Sequence, residues 1–289
     1  MKFKILIPVY NDWQSVFKLL EDINSNISNL DHEISVIIVN DASNHDREEE
    51  KKNLENIKSI KILNMKNNQG HARCIATGLK YIYEKEDFDY VIPMDGDGED
   101  RPEEIKEFIY QIKKSNSKPI VGERIKRSEN LIFRICYQLH KLLTLTFAGK
   151  SIKFGNFTCL PKSTVEKLIN DKATWNSFSG SLRKIENDLI SIPSIRGTRY
   201  FGPSKMSFKN LTIHSLAIIS VFKFNVLLRS IMFLIVYMFL IHQNISIIML
   251  IPFPLIVLLV VLVFLTSKRE SLGEMKESFS NILNIDNIK

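Results

Sequence analysis

Cysteine is scarce in this 289-residue chain, and the few cysteines are poorly placed to pair with one another. Cys74, Cys136 and Cys159 are widely spaced and odd in number, which excludes a disulfide framework and a C-x-x-C metal site and favours a reducing compartment. Glycine (11 residues) and proline (9 residues) are also few, so collagen-like and low-complexity chains are excluded. The shares of hydrophobic (45%) and charged (25%) residues are those of a folded globular protein.

The chain has a moderate excess of positive charge. Lysine and arginine total 39 and aspartate and glutamate total 32, which gives a formal net charge of +7. A nucleic-acid partner would require basic and aromatic side chains clustered on one face, and the sequence contains no such cluster. We therefore expect no nucleic acid as a partner, and the positive charge instead suits an anionic membrane surface.

Two long apolar runs lie near the C-terminus. Residues 245–265 contain no charged side chain and would form a helix about 31 Å long, enough to cross a bilayer core. A second run, residues 226–241, contains only Arg229 as a charged side chain, and three residues separate the two runs. So short a connection predicts an antiparallel helical hairpin. Basic residues flank its outer ends and are absent from the connector, so both chain ends are expected in the cytoplasm.

The domain organisation expected from these patterns has four parts. Residues 1–206 form a cytoplasmic domain, residues 207–225 an amphipathic juxtamembrane segment, residues 226–265 two transmembrane helices and residues 266–289 a cytoplasmic tail. No signal peptide is expected, because the chain begins directly with a strand-like segment. The predicted location is an inner (cytoplasmic) membrane with a multi-pass topology.

Strand-like and helix-like segments alternate in the first domain. The predicted strands are residues 4–8, 34–39, 60–63 and 90–94, and the predicted helices are residues 15–27, 71–83 and 102–113. Continuous apolar strands separated by helices predict an α/β fold with a mostly parallel sheet covered on both faces. Ligands of such sheets bind at the carboxyl ends of the strands.

An acidic cluster follows the last of these predicted strands. It consists of Asp95, Asp97, Glu99 and Asp100, and carboxylate oxygens are the ligands that Mg²⁺ and Mn²⁺ prefer. A second polar turn, at Asp41, follows a neighbouring strand. The sequence therefore predicts a site for a divalent metal at this edge of the sheet.

Four motifs in order carry a family resemblance. They are Ile-Pro-Val-Tyr-Asn-Asp (7–12), Ile-Val-Asn-Asp-Ala-Ser (38–43), Asn-Gln-Gly-His-Ala-Arg (68–73) and Met-Asp-Gly-Asp (94–97). This series resembles the family 2 inverting glycosyltransferases, which have the Rossmann-like GT-A fold. Later segments, at 122–124, Arg134, 155–157 and 199–206, resemble the polyprenyl-phosphate sugar transferases, relatives of dolichyl-phosphate mannose synthase that often carry a C-terminal membrane hairpin.

The resemblance implies roles for individual residues. Those that would hold the base and ribose of a nucleotide-sugar donor (a UDP- or GDP-sugar) are Pro8, Tyr10, Asp12 and Asp41. Those that would hold Mg²⁺ or Mn²⁺ and the diphosphate are Asp95, Asp97 and Glu99, although the family more often has glutamine at the position of Glu99. Arg199 and Lys205 would reach the donor diphosphate or the acceptor phosphate.

The acceptor determines what other chemistry the site needs. A lipid monophosphate is already an anion near neutral pH, so it needs cations that hold it in line rather than a general base. Arginine suits this role because its guanidinium can bind phosphate through two parallel hydrogen bonds. By resemblance, Arg124 and Arg134 are the candidate ligands of a polyprenyl phosphate such as undecaprenyl phosphate.

Two other functions stay open at this point. A non-processive family 2 enzyme of capsule or lipopolysaccharide synthesis would add the sugar to a saccharide hydroxyl and would need a general base, for which Glu186 or Asp188 is available. Asn156 favours this alternative, because the lipid-phosphate branch more often has aspartate there. The third hypothesis is a non-catalytic membrane scaffold, and it predicts that the acidic cluster has lost carboxylates needed to bind a metal. In each case the apolar hairpin can pack against copies of itself.

Overall fold

The computed structural model of the chain describes residues 1–45, 47, 53–115, 117–126, 138, 141–203, 208–243 and 245–289. The strands are β1 (Lys2–Val9), β2 (Glu33–Asn40), β3 (Ile60–Met65), β4 (Tyr90–Pro93), β5 (Ile120–Lys126), β6 (Phe154–Pro161), β7 (Ile190–Ile195) and β8 (Ile282–Asn287). They form one sheet in the order β7-β5-β6-β4-β1-β2-β3-β8. The central strands β4, β1, β2 and β3 are parallel, whereas β6 runs antiparallel to β4 and β5.

The helices of the described residues cover the sheet and then leave it. They are α1 (Trp13–Ile27), α2 (His71–Lys85), α3 (Ile105–Ser115), α4 (Lys162–Ile169), α5 (Phe178–Ile185), α6 (Phe208–Ser220), α7 (Lys223–Ile241), α8 (Ile247–Leu250), α9 (Pro252–Ser267) and α10 (Leu272–Lys276). Short 3₁₀ turns lie at Pro102–Glu104, Lys172–Trp175 and Ser278–Asn281, and a π-helical turn lies at Thr144–Ala148. The mostly parallel α/β sheet predicted from the sequence is confirmed.

The continuous apolar strands are buried on both faces, as their sequence predicts. Ile5 and Ile7 of β1 face the core that contains α1 and α3, whereas Leu6 between them faces the core that contains α2, α4 and α5. This alternation follows from the two-residue period of a strand. Each such side chain contributes about 1.5–3 kcal/mol through burial, so the centre of the sheet contributes strongly to the stability of the fold.

Residues 266–289, for which the sequence predicts a cytoplasmic tail, are part of the folded domain, and their cellular location stays a prediction. They contain α10 and then β8, which pairs antiparallel with β3. The physical reason is that β3 would otherwise be the edge strand and would leave a row of unpaired backbone groups. The partner strand comes from about 220 residues away, so no local pattern announces the pairing.

Two helical segments of the described chain are long and apolar enough to cross a membrane. They are Lys223–Ile241 and Ile247–Lys276, and the second is interrupted at Ile251 between α8 and α9. Only 11% of the most apolar stretch of each is buried within the protein, unlike a helix from the centre of a soluble core. The start of the first segment lies beside the end of the second, as the distance of 3.3 Å between Lys223 Nζ and Glu270 Oε2 shows.

The helices adjoin the domain through a separate apolar cluster. Phe147 of the π-helical turn packs there with residues of α6, α7 and α9, including Ile219, Val226 and Val263. Arg229 of α7 donates a hydrogen bond from Nη1 to the carbonyl oxygen of Thr146 at 3.2 Å. The segment that precedes β6 is therefore held against the first turns of α7.

Candidate active site

Three turns meet at the carboxyl ends of β1, β2 and β4. Asn11, in the turn after β1, donates its backbone N–H to Ser43 Oγ at 2.9 Å, and its Oδ1 accepts from the N–H of Asn44 at 2.9 Å. Asn11 has a φ of +52°, a value that asparagine tolerates better than most residues. The turn after β1 and the turn after β2 therefore form one unit beside the acidic loop that follows β4.

Asp41 holds the loop that leads into α2. It is buried, and its two carboxylate oxygens accept hydrogen bonds from the backbone N–H groups of Gln69 and Gly70, each at 2.8 Å. Gly70 has a φ of +94°, in the region that favours glycine. The structure thus gives Asp41 a positioning role, and its contact with a donor stays a prediction.

The Asp95 side chain contacts polar side chains from two other elements, β6 and α2. Its Oδ1 accepts from Asn156 Nδ2 of β6 at 3.0 Å and is 3.3 Å from Nε2 of His71, the first residue of α2. Burial alone would raise the pKa of Asp95, but the hydrogen bond and charge of His71, together with Arg124 and Asn156, outweigh it, and the pKa lies well below its ordinary value. Asp95 is therefore an anion, and Asn156 takes a direct part in the site.

Asp97 and Glu99 are each paired with an arginine from the segment after β7. Arg199 donates to Asp97 Oδ2 through Nη1 at 2.5 Å and to Asp12 Oδ2 through Nη2. Arg196 donates to Glu99 Oε2 through Nη2. The acidic loop is thus held between the turn after β1 and the segment after β7.

Burial and mutual repulsion raise the pKa values of two other carboxyl groups of the loop. Burial, followed by the negative charge of Asp95, raises the pKa of Asp97 to about 6, and the same two causes raise the pKa of Asp100 to about 7. Asp100 also accepts from the N–H of Asp95 at 2.9 Å through Oδ2. A cation placed here would favour the ionised forms and lower both values, so the loop is electrostatically suited to bind one.

Arg124 of β5 reaches the same cluster from the other side. Its Nη2 is 3.8 Å from Asp100 Oδ1, and its guanidinium lies against Gly155 of β6, where an added Cβ would be 2.8 Å from Nη2. A side chain at this position would displace the Arg124 guanidinium from its place beside the cluster. Arg134 and Lys205 lie outside the described residues.

The structure brings most of the predicted site residues together. Arg199 joins Asp12 to the acidic loop, which carries Asp95, Asp97 and Glu99, and Arg124 approaches the loop at Asp100. Pro8 is buried in β1, whereas Tyr10 is 45% exposed beside the turn. Arg196 was not singled out by the sequence, and His71 appeared there only as part of the motif at residues 68–73. The signal for Arg196 is slight, since it is one basic residue in a loop far along the chain.

The acidic loop fits a divalent metal by donor chemistry. Its side chains offer carboxylate oxygens, which Mg²⁺ and Mn²⁺ prefer, but among the described residues no three His, Cys, Asp or Glu side chains converge on one point. A metal here would therefore take only part of its ligands from the protein. Nε of Arg199 is buried and has no hydrogen-bond partner among the described residues.

The match to a known family decides the class of this site. The model described as Glycosyl transferase family 2 matches residues 4–165, more than half of the chain. The chain belongs to glycosyl transferase family 2. It is thus a glycosyltransferase, as its motifs predict, and the three turns, of which the acidic loop is one, all lie within the matched residues.

Curated relatives of this family 2 chain include two undecaprenyl-phosphate 4-deoxy-4-formamido-L-arabinose transferases. The protein from Proteus mirabilis (strain HI4320) is 26% identical over 218 residues, which are 73% of this chain and 64% of the relative. The protein from Klebsiella pneumoniae (strain 342) is 24% identical over 219 residues, with the same coverage of 73% and 64%. The chain therefore spans slightly less than two thirds of the length of these relatives.

Solved structures similar to this family 2 glycosyltransferase share its GT-A fold. Glucosyl-3-phosphoglycerate synthase from Mycobacterium tuberculosis, in complex with Mn²⁺, uridine diphosphate and phosphoglyceric acid, has a TM-score of 0.56 at 10% identity and covers 78% of each chain. S. aureus TarS 1–349 in complex with UDP-GlcNAc has a TM-score of 0.51 at 13% identity, over 80% of this chain and 70% of that one. At such identities the similarity shows the fold alone.

Proposed function

We propose that this family 2 glycosyltransferase is anchored in a membrane and transfers a sugar, with inversion, from a nucleotide-sugar donor to a polyprenyl phosphate. One observation carries the proposal. A short segment contacts an arginine of α7, the first apolar helix, at one end and an arginine beside the acidic loop at the other. The names of the curated relatives, which act on undecaprenyl phosphate, support the same class of acceptor.

The short segment runs from Gly149 to Gly155. The Arg229 guanidinium lies against Gly149, where an added Cβ would be 2.6 Å from its Nη2, and Gly155 contacts Arg124 beside the acidic loop. Six extended residues span at most about 22 Å. Gly149 beside α7 and Gly155 beside Arg124 are therefore separated by at most this length, which supports an acceptor whose phosphate lies at the membrane surface.

The helix pair is consistent with a membrane hairpin whose two ends emerge on one side. β8 follows the pair in the chain and β1 to β7 precede it, yet all belong to one sheet. The contact between Lys223 and Glu270 likewise places the start of α7 beside the end of the pair. If the helices cross a bilayer, the catalytic domain and both flanks lie on the same face, and the basic flanks favour the cytoplasmic one.

In the proposed reaction, an acceptor phosphate oxygen attacks the anomeric carbon of the donor. The new bond joins that oxygen to the anomeric carbon, while the bond from the anomeric carbon to the diphosphate oxygen breaks and its electron pair leaves with the nucleoside diphosphate. A divalent metal bound at Asp97, with Asp95 and Glu99 as further candidate ligands, would supply charge neutralisation for this leaving group.

The protein's own groups orient the two substrates. Arg124, with Arg134, would hold the acceptor phosphate in line, and Arg199 would bind the donor diphosphate. No general base is needed, because the acceptor is already an anion. The bases considered for a saccharide acceptor are engaged elsewhere: Glu186 accepts from Thr164 and Lys167, and Asp188 is paired with Lys118.

The direct test is transfer of radiolabel from a panel of UDP- and GDP-sugars to undecaprenyl phosphate by the purified full-length protein. We expect a lipid product that is labile to mild acid, that requires Mg²⁺ or Mn²⁺ and that disappears with EDTA. Donor hydrolysis without lipid product would point to a saccharide acceptor. A folded protein that shows neither sugar transfer nor donor hydrolysis would point to a non-catalytic membrane scaffold.

A further inference from the structure

Residues 196–200, here called the arginine strap, lie across the acidic loop. Beyond the ion pairs of Arg196 and Arg199, backbone hydrogen bonds fasten the strap to the loop. The N–H of Gly197 donates to the carbonyl oxygen of Glu99 at 2.8 Å, and the N–H of Tyr200 donates to the carbonyl oxygen of Asp97 at 3.0 Å. The backbone of the strap is therefore fastened to the loop at two points, near its start and at its end.

Complementary shape and a distant anchor fix the strap further. The Tyr200 ring fills the space of the missing side chain at Gly98, whose φ is +86°, and the backbone of Gly197 lies so close that an added Cβ would be 2.8 Å from the carbonyl oxygen of Gly98. Tyr200 also donates through its hydroxyl to Asp22 Oδ2 of α1 at 2.7 Å. Such a fit indicates a specific contact rather than a loosely placed loop.

The strap pairs with two of the carboxylates proposed as metal ligands. Oδ2 of Asp97 and Oε2 of Glu99 accept from Arg199 and Arg196, and the positive charge of each guanidinium group opposes a divalent cation at the same carboxylate. The two arginines offset much of the negative charge of Asp12, Asp97 and Glu99. A metal that binds Asp97 or Glu99 therefore competes with these ion pairs.

We propose that the two arginines exchange partners when the donor binds. In the nucleotide-free protein they occupy the carboxylates and oppose the metal. The diphosphate of the donor then takes the arginines, because guanidinium groups bind phosphate oxygens well, and the carboxylates become available to the cation. The metal and the nucleoside diphosphate consequently bind cooperatively, and by linkage each increases the affinity for the other equally. This inference rests on the proposed function.

The test measures Mn²⁺ binding by electron paramagnetic resonance to the full-length protein in detergent, alone and with UDP or GDP. For the R196Q/R199Q protein we expect Mn²⁺ alone to bind at least about tenfold more tightly than to the unaltered protein. We also expect the additional gain caused by the nucleotide to shrink. Activity is not needed for this readout.

Two further variants separate the exchange from general charge and from misfolding. Arg101→Gln removes the same charge from a neighbouring residue that pairs with Glu103 instead, so it should leave the affinity for Mn²⁺ within about twofold of the unaltered protein. Tyr200→Phe loosens the strap without removing an arginine, so it should strengthen the binding of Mn²⁺ alone by a smaller factor than R196Q/R199Q. Circular dichroism checks the fold of each variant.

The outcomes distinguish the inference from the proposed function. Mn²⁺ binding that the strap variants leave unchanged, or that Arg101→Gln strengthens equally, overturns the exchange alone. Absence of Mn²⁺ binding in every variant, with or without nucleotide, overturns the exchange together with the metal requirement of the proposed function. Failure to form a lipid product, with the expected Mn²⁺ affinities, overturns the proposed acceptor and leaves the exchange intact.

Discussion

The side chains of Asn64 and Asn284 are hydrogen bonded across β3 and β8, with Asn64 Nδ2 2.7 Å from Asn284 Oδ1, although 220 residues separate them in the chain. Asp286 Oδ2 extends this contact, since it accepts from Asn64 Nδ2 and from Arg47 Nη1, each at 3.0 Å. The sheet is thus completed only by residues that follow the apolar helices. The domain that contains the sheet is consequently built from the chain segments before and after the helix pair.

A truncation at residue 225 should therefore do more than release the domain from membranes. It removes β8 and exposes the edge of β3, and we expect its melting temperature to be at least about 5 °C below that of a variant in which a short flexible linker replaces residues 226–265. The linker variant retains β8, and the proximity of Lys223 and Glu270 means that a few residues suffice. Thermal melting monitored by circular dichroism makes the comparison.

Both variants should leave the membrane fraction if the apolar helices are the anchor. Equal melting temperatures would show that β8 contributes little to the stability of the sheet. Retention of the linker variant on membranes would instead assign the anchoring to α6, the helix predicted from the sequence as an amphipathic segment.

The buried ion pair between Lys4 and Glu86 predicts a second, unrelated stability effect. Glu86 accepts from Lys4 Nζ at 2.8 Å and from Lys61 Nζ at 2.6 Å, and the Lys4 and Glu86 side chains are 7% and 8% exposed. Glu86→Gln would leave a buried lysine without its charged partner, so we expect a loss of about 3 kcal/mol in the free energy of unfolding. Asp87→Asn, at the exposed pair with Lys2, is the matched control and should have no measurable effect.

The same pair gives a pH dependence with a definite sign. Burial alone would raise the pKa of Glu86, but the hydrogen bonds and charges of Lys4 and Lys61 outweigh it and hold the pKa below its ordinary value of 4.5. The unfolded chain then binds the proton more tightly than the folded one, so the stabilisation is complete above about pH 4.5 and is lost as the pH falls through the lowered pKa. Melting curves of the Glu86→Gln protein should lack this part of the acid destabilisation.

The sequence predicted the parts of this molecule that depend on local patterns. Apolar runs such as residues 34–39 identify the central strands, and the helical periods of α1 and α2 are clear, because burial on both faces or on one face leaves a regular pattern. β8, the Lys4–Glu86 pair and the contacts of Arg196 were missed. Each joins residues that are far apart in the chain, and a single lysine or arginine carries no periodicity.

The acidic loop was found for a different reason. Several carboxylates directly after a buried strand are uncommon, so the composition at one place indicates the chemistry. Their partners His71, Asn156 and Arg199 come from three other elements, and only the fold brings them within hydrogen-bonding distance. A sequence motif therefore locates the reactive loop but does not show which charges balance it.

Asp97→Asn should abolish most of the transfer while the protein stays folded. The amide preserves an oxygen that can accept from the N–H of Glu99, as Oδ1 does now at 3.0 Å, but it lacks the charge that would hold a cation. We expect kcat to fall by a factor on the order of 10²–10³, measured as label transferred to lipid. Glu103→Gln, which alters a carboxylate paired with Arg101 at the surface, should retain its activity, and near-normal turnover of Asp97→Asn would contradict the metal role.

The contact of Arg124 with Gly155 offers a test of the acceptor site that removes no functional group. In Gly155→Ala the new methyl group would lie 2.8 Å from Arg124 Nη2, so the guanidinium must move. If Arg124 binds the acceptor phosphate, KM for undecaprenyl phosphate should rise about tenfold, a loss typical of one charge-assisted contact, while KM for the donor changes less than twofold. Arg134→Ala should act in the same direction, since the same role is proposed for it.

The control is Gly273→Ala in α10, where an added Cβ meets only Ser271 Oγ at 4.0 Å, an ordinary contact, and both KM values should be unchanged. A rise in KM for the donor in Gly155→Ala, with the lipid KM constant, would reassign Arg124 to the diphosphate. That result would also change the interpretation of the cluster as a whole: Arg124 approaches the acidic loop through Asp100 and Arg199 through Asp97, so both would then serve the leaving group. The acceptor phosphate would depend on Arg134 and on cations nearer the membrane, such as Arg229.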